Sequence, residues 1–379
     1  MLGSSNENPK EVESKKQPEN LADKFLLDKL PLDLLKIKIN TKGEVVATSN
    51  ISRYLSLTDM QRLACTNKSF FSIFNNERIA VNLAIKKFLD HVVRGEKIEV
   101  EEMLQKNPDL LLHKAKVVDE AGRTIYGTAY QIALGAKDVS PFPGKVEEMA
   151  EMLEHYLLQL PNGEKEREKQ YNEQFPEGFE KEEEARRMND SLALNKVFAA
   201  IKNDKTTDLA EAKKAVKEFQ RYLESQIKGV ITTGYHFNEA LFQKALKLYL
   251  YDQHDNDFGG YDSDKNRLSA IKLIGFIERF FPANLAQAMC DGIGIVVDAE
   301  KKLTRGKMLD SKRTPFFDPN LGVSHFVYSY YWWGVGTGGW VSGEYVMGEC
   351  CDLFSKLMSS KNSNLINRQP KKQSSCVIQ

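Results

Sequence analysis

Near its end the chain carries Cys376-Val377-Ile378-Gln379, a thiol followed by two branched aliphatic residues and a closing glutamine. This is the C-a-a-X pattern for thioether prenylation, and glutamine in the last place favours a farnesyl chain. Spacing matters because a prenyltransferase reads an extended tetrapeptide together with its free carboxyl group. One lipid chain alone gives only weak, reversible membrane binding. Lys361, Arg368, Lys371 and Lys372, with no acid among them from 361 onward, offer a second signal, since each basic residue near an anionic leaflet contributes about 1 kcal/mol.

Other residue groups invite chemistry and then fail on context. Gly334-Val-Gly336-Thr-Gly-Gly339 contains G-x-G-x-x-G, but that fingerprint cradles a pyrophosphate only where a strand turns into a helix inside a βαβ unit. No parallel-sheet pattern precedes it, so the glycines read as a loop among Trp332, Trp333 and Trp340. The run from Asp252 to Asp264 is rich in oxygen ligands, yet no register satisfies a calcium loop's alternating acids, central glycine and closing glutamate. It reads as a turn between helices. Six histidines are scattered without G-x-S-x-G or H-E-x-x-H. Cys350-Cys351 lies on an apolar stripe and reads as packed rather than nucleophilic. The residues therefore indicate no catalytic group, no metal site and no cofactor apart from the covalent farnesyl on Cys376.

The totals narrow the partners. Lys+Arg and Asp+Glu both number 53, so no overall field favours nucleic acid. Five cysteines without C-x-x-C spacing argue for reduced thiols. Apolar runs fall short of the ~18–20 residues that span a bilayer. Any membrane contact is expected through the lipidated tail.

The elements that must position these groups are mainly α-helical. Polar residues 1–24 are expected to be disordered. Over 25–78 three short helices are expected. Leu30-Pro31 opens the first, with Leu34, Leu35 and Ile37 on its apolar face. KINTKGEVVATSN interrupts, and ISRYLSLTDMQRLACTNKSFFSIF follows, with Ile51, Tyr54 and Leu55 in the second helix and Thr58-x-x-Gln61 as a capping box for the third.

This stretch resembles an F-box. Ile51, Tyr54, Leu55, Ser56, Asp59, Leu63, Ala64, Lys68 and Phe70 match the family's string, and Leu30-Pro31 with Leu34 and Leu35 matches its opening. Met60 replaces a leucine, Thr66 stands where valine is usual, and the KINTKGEVVATSN segment displaces the opening from its ordinary spacing. The resemblance implies docking on a Skp adaptor through Leu30, Pro31, Leu34, Leu35, Ile51, Leu55, Leu63 and Phe70.

Residues 79–160 read as helix pairs. NLAIKKFLDHVVRG ends at Gly95, VEEMLQKNPDLLL ends at Asn107-Pro108, DEAGRTIYGTAYQIALGAKD opens a third helix, and MAEMLEHYLLQL forms a fourth. Thr128-Ala-Tyr-Gln-Ile-Ala133 resembles the T-P-L-H-x-A of ankyrin repeats, keeping the threonine and last alanine. Residues 161–190 carry dense charge of both signs and read as a solvated linker or exposed helix. Apolar stripes then recur over 191–358, as expected for a larger helical, target-binding domain, with HFVYSYYWW at 325–333 as a short strand element. A basic tail with the C-a-a-X motif closes the chain over 359–379.

Together these features resemble the translocated F-box effectors of Legionella-type intracellular bacteria. The resemblance implies a protein secreted into a host cell and lipidated by the host prenyltransferase. It would be held on a host membrane, bind the host Skp adaptor and cullin ligase, and present a host protein for ubiquitin transfer. It implies an adaptor rather than an enzyme. Two other readings stay open: a prenylated scaffold whose F-box-like segment is internal packing, and an enzyme with its site in the C-terminal helices.

Overall fold

The computed structural model describes residues 37–39, 45–47, 68–176, 181–253, 258, 263–291, 293–298, 300, 303 and 343–370. The protein is mainly α-helical, and it divides into two compact units, Met1–Asn82 and Leu83–Gln379.

In the first unit, β1 (Ile37–Ile39) pairs antiparallel with β2 (Val45–Ala47), Ile37 opposite Ala47 and Ile39 opposite Val45. Ile37, expected on a helical face, is therefore in a strand. β-branched IKI and VVA flank a segment rich in turn-forming residues, and that local chemistry overrides the helical spacing. The helix α1 spans Lys68–Val93, so the boundary expected at 78/79 falls inside one uninterrupted helix. Its sequence holds no Gly or Pro until Gly95, whose φ of +69° ends it as a glycine can.

The second unit begins on the buried side of α1, at Ile85, Phe88, Leu89 and Val92. α2 (Lys97–Lys106) and a 3-10 turn (Pro108–Leu112) follow, stopping at Asn107-Pro108 as expected. The next segment departs from expectation. DEAGRTIYG is not helical but the turn and second arm of a hairpin, β3 (Ala115–Val118) with β4 (Thr124–Gly127). Asp119 builds the turn by accepting the Ala121 and Arg123 amides at 3.1 and 2.9 Å, with Gly122 at φ +83°. A two-residue β5 (Val230–Ile231) adds parallel to β4. Strands this short, with one face exposed, leave no apolar run to notice.

Helix α3 (Ala129–Gly135) starts at Thr128, which forms a capping box with Gln131. α4 (Met149–Leu158) buries Met149, Met152, Leu153 and Leu157. The charged segment read as a linker contains α5 (Gly163–Gln174), which buries Gln170, Tyr171 and Gln174. Its inward face is polar: Gln170 accepts the Thr128 hydroxyl at 2.6 Å and donates to Leu111 O at 3.1 Å.

Long helices α6 (Lys181–Asn203), α7 (Ala210–Gln226) and α8 (Glu239–Gln253) surround a second cluster of apolar residues. Between α6 and α7, Asp204 accepts the Thr206 hydroxyl and the amides of Thr206 and Ala212, which hold its carboxyl down at about 2. A helical run continues through α9 (Asp264–Arg267), a π-helical stretch (Leu268–Ile274) and α10 (Gly275–Glu278), and it stops before Pro282 as expected. α11 (Ala283–Asp291), α12 (Ile293–Asp298) and α13 (Gly343–Asn367) complete the unit. Phe242, Phe281 and Phe354 meet at its centre, with ring centroids 4.8–5.9 Å apart.

The tail expected from 359 is displaced. α13 continues to Asn367, and its inner stripe changes chemistry along its length. Phe354, Leu357 and Met358 are apolar; Lys361, Asn364 and Arg368 follow at the same helical spacing. Lys361, 1% exposed, donates to Lys137 O at 3.1 Å and Val139 O at 2.7 Å. Asn364 donates to Ser140 O at 2.7 Å, and Arg368 bonds Glu151 at 2.8 Å and also pairs with Glu154. Two of the four cations assigned to a basic tail thus serve the fold. Replacing Lys361 with methionine keeps the stem but takes the ammonium from Val139 O and leaves Lys137 O with Asn284 alone, and an unsatisfied buried carbonyl costs about 1–3 kcal/mol. Denaturant unfolding of Lys361→Met should show a loss of about 1–3 kcal/mol. An unchanged midpoint would mean that the carbonyls are solvated.

Candidate functional site

The second unit holds a cleft of about 340 Å³ between α6, α7, the segment from β5 to α8, and α10. Leu223, Ile227, Leu241, Ile277 and Phe280 give it apolar walls, while Arg123, Asp190 and Asn238 supply polar groups. Gln226 and Thr232, both exposed, lie at its rim.

The segment 234–238 makes the cleft possible. Gly234 N donates to Gln174 O at 2.7 Å, and Gln174 Nε2 returns a bond to Gly234 O at 2.6 Å. His236 N donates to Gly135 O at 2.9 Å. Two bonds to α5 and one to the end of α3 thus pin the loop. The His236 ring lies where a Gly135 side chain would be, and an added Cβ would stand 2.3 Å from its Nε2. Asn238 then caps α8, its Oδ1 accepting Leu241 N at 3.3 Å.

The charges in the cleft are unequal in their partners. Arg123 Nε and Nη2 both lie 2.7 Å from Asp119 Oδ2, and Nη1 donates to His236 O at 2.6 Å. Its cation is balanced next door. Asp190, 3% exposed, accepts the Tyr222 hydroxyl at 2.7 Å and Asn238 Nδ2 at 2.6 Å. Both donors are neutral. Beside the cleft, Lys137 pairs with Glu239 and places its ammonium 3.7 Å from the centre of the Tyr235 ring.

The residues expected to bind the adaptor are differently placed. Phe70 lies in the first turn of α1, whereas Leu30, Pro31, Leu34, Leu35, Ile51, Leu55 and Leu63 lie outside the described residues, as do Cys376, the Gly334–Gly339 loop and HFVYSYYWW. Cys351 is buried, and that burial pushes its thiol up, consistent with packing. Among the described residues no group of His, Cys, Asp or Glu is arranged to hold a metal ion, and no helix is long and apolar enough to cross a membrane. Asp190, Arg123 and Asn238 were not singled out by sequence reasoning. Asp190 ends a charged run that looks solvated, and Arg123 sits in a hairpin turn. No local signal marks either.

Comparison with family models, curated proteins and solved structures finds no match to this chain.

Gly135 offers a direct test of how the cleft is built. Alanine is favoured over glycine inside helices by about 1 kcal/mol, so propensity alone predicts that Gly135→Ala stabilises. The His236 and Gln174 side chains predict the reverse. Overpacking should destabilise by about 1–3 kcal/mol in denaturant unfolding, and a gain in stability would mean that the loop yields freely.

Proposed function

We propose that this chain is the substrate-recruiting F-box subunit of a host Skp–cullin–F-box ubiquitin ligase, anchored on host membranes by a farnesyl group on Cys376. The observation that carries the reading is the string ISRYLSLTDMQRLACTNKSFF, preceded by Leu30-Pro31 with Leu34 and Leu35. One geometric fact supports it. The segment that displaces the family's opening folds back on itself, because Ile37 pairs with Ala47 across the β1–β2 hairpin. Cross-strand partners lie about 5 Å apart. Within the insertion the chain is therefore brought back at Ala47 to the side of Ile37.

An ankyrin-like reading of the segment from β3 to α4 also has support. A hairpin, a helix capped by Thr128 and a second helix follow in order. With fewer repeats than the three or so that stand alone, the unit leans on α5 and the end of α13. In this reading the helical unit holds a host protein near a charged ubiquitin carrier, and catalysis is proximity: a tethered lysine meets its partner at high effective concentration. Confinement to a membrane increases that further.

Pull-down from host lysate tests the adaptor role. Wild type should retain the Skp adaptor, and Leu30→Ala/Pro31→Ala should lose it, since truncating one buried leucine costs about 2–5 kcal/mol. Undiminished capture by the double variant would remove those two residues from the interface. Failure of wild type to capture the adaptor would leave the prenylated scaffold.

Cys376→Ser tests the anchor independently. A serine hydroxyl does not accept the lipid, and each buried CH₂ lost with it forfeits about 0.8 kcal/mol. The variant should move from membranes to cytosol on fractionation, with mass analysis of the C-terminal peptide showing the farnesyl only in wild type. Unlipidated wild type, or a variant still on membranes, would overturn the anchor.

A further inference from the structure

We propose that the cleft between α6, α7 and α10 is a binding site for a cationic group on an aliphatic stem, an alkyl-guanidinium or alkyl-ammonium such as an arginine or lysine side chain, with Asp190 as its counter-ion. Asp190 and Arg123 both line the cleft, and only Arg123 has an ionic partner, Asp119. Among the described residues no cation pairs with Asp190; Tyr222 and Asn238 give it one neutral hydrogen bond per oxygen. Each carboxylate oxygen carries two acceptor sites, so a further one remains on each. A buried carboxylate balanced only by neutral donors stands to gain more from an arriving cation than an exposed one, because the surroundings screen the attraction less.

The shape of the site agrees with the charge. At about 340 Å³ the cleft sits at the lower end of the roughly 300–1,000 Å³ found for small-ligand sites, suited to one side chain rather than a dinucleotide. Leu223, Ile227 and Phe280 line it with apolar surface for an aliphatic stem, while Gln226 and Thr232 at the rim are exposed, where a backbone amide would sit. An anionic ligand fits less well: the Arg123 charge is already balanced by Asp119, to which Nε donates, and Nη1 is used on His236 O. Asp190 is also preorganised. Asn238 is fixed as the α8 cap and Tyr222 by its place on α7, so the carboxylate does not have to be oriented when a ligand arrives. The site does not depend on adaptor binding or on lipidation.

The probes are N-acetyl-arginine amide and its neutral isostere N-acetyl-citrulline amide, titrated into the full chain by calorimetry and ligand-observed NMR. Wild type should bind the arginine probe about tenfold or more tightly than the citrulline probe, the usual weight of a charge-assisted over a neutral hydrogen bond. Asp190→Asn should bind the two alike. Gln226→Trp, a change at the exposed rim, should block both while leaving thermal unfolding unchanged, and it decides the matter if Asp190→Asn fails to fold. Equal binding of both probes to wild type, no binding of either, a preference that survives in Asp190→Asn, or undiminished binding to Gln226→Trp would overturn the proposal.

Discussion

Much of the larger unit depends on one buried ammonium. Lys361 reaches from the last helix to the carbonyls of Lys137 and Val139, where the chain leaves α3 through a left-handed residue, Lys137 at φ +52°. A non-glycine residue in that region is strained, and its carbonyl would be stranded without a donor. It has two: Asn284 also donates to Lys137 O, at 2.9 Å. Once the turn is held, the following residues can be used. Ser140 N and Glu148 N bond Glu151, which also meets Asn364 and Arg368. A single turn thereby ties α3, α4, α11 and α13 together.

This seam explains what was legible in the sequence and what was not. The apolar stripe through Phe354 and Leu357 was readable because hydrophobic letters recur at helical spacing, and those residues are buried. The next turns of the same stripe, Lys361, Asn364 and Arg368, continue inward in polar letters around a single buried Leu365, so a hydrophobic pattern thins after Met358 and the rest looks like a tail. Gln170 and Gln174 on α5 fail for the same reason, hidden in a segment whose charge suggests water on every side. Periodicity reports where apolar residues recur, not where the inside is. Gly95 and Pro282, by contrast, end their helices as expected, because their effects are backbone constraints that need no knowledge of neighbours. The hairpin from β3 to β4 was missed because four-residue strands carry little signal, and its turn is built by Asp119, a side-chain bond rather than a composition. As for the cleft, Asp190 acquires meaning only when α7 and α8 bring Tyr222 and Asn238 to it from 32 and 48 residues away.

The cleft and the seam share a joint at the start of α8. Asn238 donates to Asp190 in the cleft, and its neighbour Glu239 pairs with Lys137 in the seam. Arg187, one turn before Asp190 on α6, lies 3.5 Å from Glu239, closing the path along a second helix. Two adjacent side chains of one helical cap thus face two different polar systems. A displacement of α8 that disturbed one would disturb the other, because the Asn238–Asp190 bond and the Glu239–Lys137 pair start from adjacent residues.

Why a chain would retain so much buried polarity follows from what apolar packing leaves undecided. Hydrophobic attraction is non-directional, and an apolar stripe can trade one turn of register for another at modest cost. A polar stripe is less forgiving. Moving α13 by one turn would carry Lys361 away from two carbonyls and Arg368 away from Glu151 and Glu154, and a buried ion separated from its partner typically costs about 3–5 kcal/mol. Such pairs add little net stability over apolar substitutes, but they penalise the alternatives heavily. In this fold the apolar half of α13 supplies attraction and the polar half supplies the register. Any surface or cleft whose walls depend on that register inherits its fixity.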